Sequence, residues 1–281
     1  MTRSVPTPAN AVLIRPSTGL LRLNLGDVWA YRELLYFLVW RDVKVRYKQT
    51  ILGAAWAILQ PLMTMLVFSV FFGRLGKMPS DGIPYPVFSF AALLPWQLFA
   101  FALAESSNSL VSSQNLITKV YFPRLIVPLA AAMAGLVDFS IALLVLLGLM
   151  WSYGIVPGVA ILLLPMFVLL TVATALAVGL WMSSLNVKYR DVRYTIPFLT
   201  QLWLFATPVA YPSSIVPEKW RAILGLNPMA GVVEAFRWAL LGQQASAPGA
   251  LLLVSVGAVS VLLITGLIYF RRTERDFADL V

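Results

Sequence analysis

Cysteine and histidine are both absent from the 281-residue sequence, and only 12% of its residues are charged. The absence of cysteine excludes disulfides and thiol nucleophiles. The absence of both residue types removes the usual zinc ligands and the imidazole acid–base catalyst. Soluble domains carry about 25% charged residues, whereas this chain is 60% hydrophobic and lacks the polar residues needed to cover its apolar surface in water. The composition therefore favours a protein solvated by lipid and disfavours most enzymatic functions.

Most of the apolar sequence divides into charge-free runs that are long enough to be membrane spans. A helix needs about 20 residues to cross about 30 Å of hydrocarbon, at about 1.5 Å per residue. Four such runs cover residues 51–73, 82–104, 194–217 and 238–270. A longer stretch over residues 125–187 contains a turn-forming sequence, which predicts a hairpin of two spans. We therefore predict an all-α integral membrane protein with six transmembrane helices.

The basic residues indicate how these spans are oriented. Most of the 21 Lys and Arg residues fall in segments that six crossings put on the same side as both termini. The exceptions are Arg74, Lys77, Lys219, Arg221 and Arg237. Cytoplasmic loops are enriched in Lys and Arg, so both termini are predicted to be cytoplasmic. Basic residues also interrupt the first 25 residues, so no cleaved leader is expected. The net charge of +9 then reflects orientation and attraction to anionic lipid, and nucleic acid is not an expected partner.

The segment before the first run, residues 27–46, is apolar but too charged to cross a membrane. As a helix it has one apolar face, formed by Val28, Tyr31, Leu35, Leu38 and Val39. The cations of this helix are Arg41, Lys44, Arg46 and Lys48, and those opposite the apolar face are assigned to lipid headgroups. Asp42 and Arg46 fall on the apolar side, and their spacing permits an ion pair. The pattern predicts an amphipathic interface helix, which is either a lipid anchor or a lever that contacts a cytoplasmic partner.

Two further segments are too short or too polar to be spans. Residues 213–242 contain breaks at Gly225 and at Asn227-Pro228, which predict two short helices on the external side. They form either a re-entrant hairpin beside a pathway or an amphipathic loop on the membrane surface. The loop at 112–124 has an apolar patch with no partner inside so short a segment. The patch, which either docks another subunit or begins the third span, consists of Leu116, Ile117, Val120, Tyr121 and Phe122.

Asp138 is an acid well inside a predicted span. A carboxylate at membrane depth costs about 2.5–3.5 kcal/mol on insertion scales, so Asp138 should face other helices or water. A proton-coupled carrier would need several ionisable groups in its spans. We therefore expect a structural hydrogen bond, with Ser140 or Ser183 as its partner.

Several separate motifs resemble the ABC-2 type permeases that export O-antigen, capsule and teichoic acid polymers. They are the run from Trp40 to Thr50, the residues Leu52, Gly53, Trp56, Gln60 and Pro61, and the segments 115–124, 186–191 and 226–237. The resemblance covers residues 27–270. It implies six transmembrane helices, an interface helix at 27–46, a coupling helix at about 112–122, and external re-entrant helices at 213–242.

The resemblance also implies partners. Such a permease pairs with a second copy of itself and with two ATPase subunits. The sequence has no GxxxxGK[ST] phosphate-binding loop, so this chain is expected to bind no cofactor or metal and to depend on ATP and Mg²⁺ bound by its partner. Contacts to the ATPase are expected from the coupling loop, at Asn115, Leu116, Lys119, Tyr121 and Arg124.

A pathway for a glycan should combine aromatic faces, for the C–H sides of sugar rings, with sparse hydrogen-bonding groups. Candidates fall in the first, second and fifth predicted spans. They are Trp56, Gln60, Phe71, Trp96, Phe99, Gln201, Trp203, Phe205 and Tyr211, with Gln97 beside Trp96. Tryptophan and tyrosine also anchor spans at membrane interfaces whatever the cargo, which is the alternative. Pro61 predicts a kink next to Gln60, either a hinge or a static packing feature.

The sequence thus predicts one membrane domain with short tails. Residues 1–26 form a cytoplasmic tail, 27–50 the interface helix and a basic linker, 51–270 the transmembrane domain, and 271–281 a second cytoplasmic tail. The predicted function is that of a permease subunit, not itself an enzyme, that exports lipid-linked polysaccharide of the O-antigen type across the bacterial inner membrane. The alternatives are a teichoic acid, capsule or drug exporter of the same family, or a membrane-embedded enzyme or secondary carrier acting alone.

Overall fold

A computed structural model of the chain describes residues 25–48, 53–189, 191–242, 245, 247–274 and 277. These residues form α-helices and no strand. The helices are α1 (Leu25–Ala30), α2 (Arg32–Lys48), α3 (Gly53–Phe68), α4 (Tyr85–Ser112), α5 (Gln114–Lys119), α6 (Ile126–Ser152), α7 (Leu164–Lys188), α8 (Val192–Ala206), α9 (Glu218–Gly225), α10 (Pro228–Leu241) and α11 (Gly249–Thr273). A π-helical turn, Ser69–Leu75, continues α3, and 3-10 turns lie at Val159–Leu163 and Ser213–Ile215. Most of the two predicted tails lies outside the described residues.

Five of the described helices are long and apolar enough to cross a membrane. They cover Ala55–Leu75, Tyr85–Ser112, Ile126–Ser152, Val159–Lys188 and Gly249–Thr273. The hairpin predicted over residues 125–187 is α6 and α7. The turn between them contains Gly154 at φ +69°, a conformation that glycine adopts without a steric penalty. The predicted all-α membrane architecture is confirmed.

The fifth predicted span is shorter than its apolar run. α8 has 15 residues, about 22 Å of helix against about 30 Å of hydrocarbon. It ends at Ala206 because Pro208 follows, and the residue before a proline is driven to extended backbone, as Thr207 is at ψ 141°. A complete sixth crossing therefore stays a prediction. The run predicted at 238–270 is corrected, because it is shared between α10 and α11.

α4 forms the centre of the bundle. It packs against α6 and α7 along most of its length and also contacts α3, α8 and α10. Small residues permit this close packing of membrane helices. A Cβ atom on Gly135 of α6 would overlap the Phe101 ring, and one on Gly179 of α7 would overlap the Ser106 hydroxyl. α4 is consequently buried on nearly all sides.

The two ends of the bundle differ in composition. At the end that we call the basic end, α2 and α5 meet the last turns of α7 and α11, which carry Lys188, Arg271 and Arg272. A separate small core holds them together, and it includes Leu38, Leu110, Ile117, Phe122 and Phe270. At the opposite end, the hairpin end, α9 and α10 lie beside the start of α4, where the Tyr85 hydroxyl donates to the carbonyl of Ala210 at 2.7 Å.

Candidate functional site

The outer faces of α3 and α8 carry aromatic and glutamine side chains. Trp56, Phe71 and Phe205 are 56%, 60% and 57% exposed, and Gln60 and Gln201 are also exposed. α3 packs mainly against α4 and α6, and α8 packs against α4 and α7, so one side of each helix is uncovered. The structure therefore brings these five residues from the predicted pathway set onto two open faces.

The two glutamines distinguish these faces from a lipid-facing surface. Neither the Gln60 amide nor the Gln201 amide makes a hydrogen bond to any described residue. On α11, by contrast, the exposed hydroxyls of Ser260 and Thr265 each donate to a carbonyl of their own helix at 2.8 Å, and Leu253 is exposed there as well. An unpaired amide in hydrocarbon costs several kcal/mol. The α11 face thus suits lipid. Gln201 on α8 favours polar surroundings outside the chain, and Gln60 on α3 also borders a polar cavity of the chain itself.

Trp96, Phe99 and Trp203 form an aromatic cluster inside the chain. Trp96 and Phe99 are 5% and 0% exposed, and the ring centroid of Phe99 lies 5.3 Å from that of Trp96 and 5.1 Å from that of Trp203. The prediction that Trp96 and Phe99 line a pathway is corrected, because their rings fill the contact between α4 and α8. Trp203 and Tyr211 are half-buried, and burial raises the pKa of the Tyr211 hydroxyl.

The predicted pair of short external helices is α9 and α10. Nearly every side chain of α10 is buried against α4, α7 and α11. A loop lying on the membrane surface would leave one of its faces open, so the packing favours the re-entrant hairpin. Gly231 is buried at the contact with α11, where an added Cβ atom would lie 2.5 Å from the Ser255 hydroxyl. The hairpin is therefore fixed in the bundle by close packing.

Asn227 joins α8 to this hairpin. Its Oδ1 atom accepts hydrogen bonds from the N–H of Met229 at 3.1 Å and from the indole Nε1 of Trp203 at 2.8 Å. Its Nδ2 atom donates to the hydroxyl of Thr207 at 3.0 Å. The first of these bonds caps the N-terminus of α10. The Asn-Pro pair predicted the start of that helix, but nothing in the sequence indicated the bonds to α8.

α10 also buries an ion pair. The side chains of Glu234 and Arg237 are 11% and 2% exposed, and Arg237 Nη1 lies 3.1 Å from Glu234 Oε1. The guanidinium of Arg237 donates to the carbonyls of Val209 at 2.8 Å and Tyr211 at 3.4 Å, and its Cζ atom lies 3.7 Å from the centroid of the Phe88 ring. Arg237, which the sequence marks only as an external cation, therefore fastens the segment after α8 onto α10.

The interface helix packs on the protein. Leu38 is 3% exposed, and Val28, Tyr31, Leu35 and Val39 pack around it in the core of the basic end. The apolar face that the sequence predicts for α1 and α2 thus contacts the bundle rather than lipid. The exposed aromatic residues on its other side are Trp29, Tyr36, Phe37 and Trp40.

Asp138 joins α6 to α2. Its Oδ2 atom lies 2.8 Å from Nη1 of Arg46, and the Tyr47 hydroxyl donates to its Oδ1 atom. Burial and this hydrogen bond raise the pKa of the Tyr47 hydroxyl to about 12, so it is a neutral donor at physiological pH. The expected partners were wrong, because the hydroxyls of Ser140 and Ser183 donate to carbonyls of their own helices.

The cations of α2 consequently have different surroundings. Arg46, which the sequence puts on the apolar side of the helix, faces the bundle. The predicted pair of Arg46 with Asp42 is also wrong, because Asp42 lies 2.8 Å from Nη2 of Arg41. Lys44 and Lys48 are exposed and form no ion pair with a described residue, so they remain the cations available to headgroups.

A cavity of about 110 Å³ adjoins the pair between α2 and α6. Its polar lining comes from Arg46, Gln60, Gln97 and Asp138, and such a volume holds several water molecules. Pro61 also lines it, so the helix turn that lacks a backbone hydrogen bond borders a polar space. In the part of the chain that the structure describes, no cluster of three or more acids could hold a metal ion.

Part of the apolar patch of the 112–124 loop packs inside the chain. Ile117 and Phe122 are 5% and 4% exposed, and Leu116 packs beside them. These three residues have their partners in the same chain outside the loop, whereas Val120 and Tyr121 are 53% and 72% exposed. Arg124 donates to the backbone carbonyl of Glu274, which ties the loop to the end of α11. The exposed side chains of the predicted coupling set are Asn115, Lys119 and Tyr121.

Known proteins match this chain over most of its length. The family model of the ABC-2 type transporters matches residues 33–241. The chain belongs to the ABC-2 type transporter family. It is 33% identical over 264 residues to the O-antigen export system permease protein RfbA of Myxococcus xanthus, covering 92% of this chain and 99% of that protein.

More distant relatives agree with this assignment. A protein of the same name from Klebsiella pneumoniae is 27% identical over 262 residues, covering 93% of this ABC-2 permease and 98% of the relative. The polysialic acid transport protein KpsM of Escherichia coli is 23% identical over 202 residues, covering 72% and 78%. The resemblance drawn from the sequence motifs is confirmed, and these relatives are permease or transport proteins by name.

Proposed function

We propose that this ABC-2 permease forms half of the channel of an ATP-driven exporter of lipid-linked polysaccharide, of the O-antigen type, in the bacterial inner membrane. Two of the relatives are O-antigen export permeases by name, and a third is a polysialic acid transport protein. Both kinds of cargo are long, hydroxyl-rich polymers. Such a polymer needs a continuous polar pathway, which one chain with two open faces does not provide.

The observation that carries this proposal is the combination of unbonded glutamine amides and exposed aromatic rings on α3 and α8. An amide both donates to and accepts from sugar hydroxyls, and an aromatic ring covers the C–H face of a sugar. No charged residue occurs between Trp56 and Phe71 on α3, or between Tyr194 and Phe205 on α8. A neutral lining binds each sugar weakly enough to let it move on, as conduction requires.

A second copy of the chain would close this pathway. Oligomers of identical chains are usually symmetric, and a two-fold axis brings the same surface of each copy together. With α3 and α8 of both copies facing the axis, the four helices would surround the polymer. The aliphatic face of α11 would then remain on the lipid side, in agreement with its satisfied hydroxyl groups.

ATP and Mg²⁺ would be bound by two separate ATPase subunits that dock at the basic end. The exposed surface of α5 is the proposed docking site, with Asn115, Lys119 and Tyr121 as its contacts. α5 follows α4 after a single residue, and Ile117 anchors it in the small core shared with α2 and α11. A displacement of α5 would therefore reach the bundle directly. In this arrangement the basic end faces the cytoplasm, as the distribution of Lys and Arg favours.

The pathway assignment is tested in cells that depend on this permease for polymer export. The double variant Gln60→Leu/Gln201→Leu should lower export about tenfold, the equivalent of about 1.4 kcal/mol, without a change in protein abundance. Thr265→Val is the matched control, because it removes an exposed polar group from the α11 face, and it should leave export unchanged. Normal export by the double variant would contradict the assignment.

A second measurement separates this function from that of a carrier acting alone. Lys119→Glu should weaken co-purification of the ATPase, whereas Lys219→Glu, an exposed cation of the hairpin end, should not. Retention of the ATPase by Lys119→Glu would argue against docking on α5. Transport of polymer by the purified chain in liposomes without any ATPase would replace the proposal with the carrier alternative.

A further inference from the structure

A second cavity, of about 100 Å³, lies at the hairpin end. Its walls come from the loop before α4, the first turn of α4, the segment after α8, the helices α9 and α10, and Ala245. Its polar lining consists of Asp81, Ser213, Ser214, Arg221, Glu234 and Arg237. Asp81, Ser214 and Arg221 are exposed, so the cavity is open to the outside of the chain.

Hydrogen bonds hold the walls of this cavity in place. Glu234 Oε1 accepts from the backbone N–H of Ser213 at 3.2 Å as well as from Arg237. The Ser214 hydroxyl donates to Asp81 Oδ1 at 2.9 Å, and Arg221 Nη2 donates to the carbonyl of Ser214 at 3.3 Å. The loop after α3 is thereby joined to the segment after α8. The polar groups are thus organised before any ligand arrives, which lowers the entropic cost of binding.

Several polar atoms of the lining remain available. Asp81 Oδ2, Glu234 Oε2, Arg221 Nη1 and the Ser213 hydroxyl make no hydrogen bond to a described residue. Among the described side-chain polar atoms, only Arg237 Nε is both buried and without a partner. Glu234 Oε2 and the Ser213 hydroxyl are therefore accessible from the cavity. The cavity therefore presents two carboxylate acceptors, a guanidinium donor and a hydroxyl that both donates and accepts.

The charge of the lining selects the class of ligand. Two carboxylates and two guanidinium groups balance, so neither an anion nor a cation gains a net attraction. A neutral polyhydroxyl ring uses donors and acceptors together, because every hydroxyl both donates and accepts. We infer that the cavity binds one uncharged sugar unit of the polymer as the polymer leaves the hairpin end, an inference that rests on the proposed function.

Saturation-transfer NMR on the purified full-length chain in lipid nanodiscs tests this inference. The probes are the methyl glycosides of glucose, galactose, mannose and rhamnose, with inorganic phosphate as a competitor. We expect transfer to the ring protons of at least one glycoside and loss of most of it in Asp81→Asn/Arg221→Gln. Asparagine tolerates the positive φ of +51° at position 81, so this variant should fold. Lys219→Gln, which removes a neighbouring cation of α9 that does not line the cavity, should keep the signal.

Three outcomes would overturn the sugar site. They are no transfer to any of the glycosides, transfer that survives in Asp81→Asn/Arg221→Gln, and transfer abolished by phosphate, which would indicate an anion site. Export assays in cells separate this result from the proposed function. If the parent chain binds no glycoside in vitro but Gln60→Leu/Gln201→Leu still lowers export in cells, the sugar site alone is ruled out. Glycoside binding without any polymer export in cells would remove the proposed function instead.

Discussion

Two ion pairs of the permease, one between α2 and the middle of α6 and one within α10 at the hairpin end, have different surroundings. Arg46 and Asp138 link the interface helix to α6 across 92 positions of sequence, and their side chains are 42% and 31% exposed. Glu234 and Arg237 lie one turn apart on α10 and are 11% and 2% exposed. The first pair is partly exposed and joins two helices, whereas the second is nearly buried and also holds the segment after α8 onto α10. Its arginine is also held by two backbone carbonyls.

This difference predicts what each contact can do. Breaking the partly exposed pair leaves both charges beside the polar cavity between α2 and α6 and costs less. Breaking the nearly buried pair leaves an uncompensated buried charge. The contact between α2 and α6 is therefore suited to separate and re-form during a transport cycle, and the hairpin end is suited to stay assembled. Variants that break one pair at a time test this contrast.

Arg237→Met should have the largest effect. It leaves Glu234 buried without a cation and two backbone carbonyls without their donor, so we expect a loss of about 3–5 kcal/mol in stability. Thermal unfolding in detergent, followed by circular dichroism, measures it. The double variant Glu234→Leu/Arg237→Met removes both charges and should recover part of the loss. A single variant as stable as the parent would show that the hairpin end does not depend on this pair.

Asn227→Ala should have the next largest effect. It removes the cap of α10 and leaves the indole N–H of Trp203 without an acceptor, for a combined loss of about 2–3 kcal/mol. Asn115→Ala is the control, because Asn115 is exposed on α5, and its unfolding temperature should not change. If Asn227→Ala unfolds like the control, the hairpin is held by packing and the buried ion pair alone.

Sequence patterns predicted the helices better than the surroundings of each side chain. The apolar runs located the long helices, and Asn227-Pro228 located the start of α10. Trp96 and Phe99 were assigned to the wrong surroundings because residues 86–104 of α4 are apolar except for Ser89 and Gln97. In such a helix no amphipathic pattern reveals which residues face other helices. The sequence neighbours of Trp56 and Phe205 are as apolar as those of Trp96 and Phe99. Trp56 and Phe205 nevertheless lie on open faces, because α3 and α8 are at the edge of the chain.

The pair of Arg46 and Asp138 did leave a signal in the sequence. Arg46 falls on the apolar side of the interface helix, and Asp138 stands in an otherwise uncharged span. Each is a violation of the local pattern, and the two have opposite charge. Such complementary violations indicate a contact between distant segments, because each group has an energetic cost that the other removes. Local spacing instead suggested Asp42 and the serines, which are closer in sequence but bonded elsewhere.

Asp138→Asn should change stability by about 1 kcal/mol or less but should loosen α2. Hydrogen exchange measured by mass spectrometry should show faster exchange of α2 amides, and polymer export should fall because α2 is no longer tied to α6. The charge-swapped double variant Arg46→Asp/Asp138→Arg restores the attraction. It should recover part of the slow amide exchange of α2 and part of the polymer export. Normal export together with faster α2 exchange would show that transport does not need this link.

Tyr47→Phe should have the smallest effect, because it keeps the ring and removes one hydrogen bond to Asp138. We expect a loss of about 0.5 kcal/mol in thermal unfolding, the low end for one hydrogen bond, because the Tyr47 side chain is only half-buried. Tyr36→Phe removes an exposed hydroxyl from the same helix and should cause none.

The pH dependence of the Tyr47→Phe difference sharpens this test. The pKa of Tyr47 is raised from 10.0 to about 12 in the folded chain, so the hydroxyl contributes its full stability below about pH 10 and loses it as the pH rises toward about 12. The difference between the parent and Tyr47→Phe should therefore be constant from about pH 7 to about pH 9 and shrink only above that range. A difference that already disappears near neutral pH would mean that the Tyr47 hydroxyl does not donate to Asp138 in the folded permease.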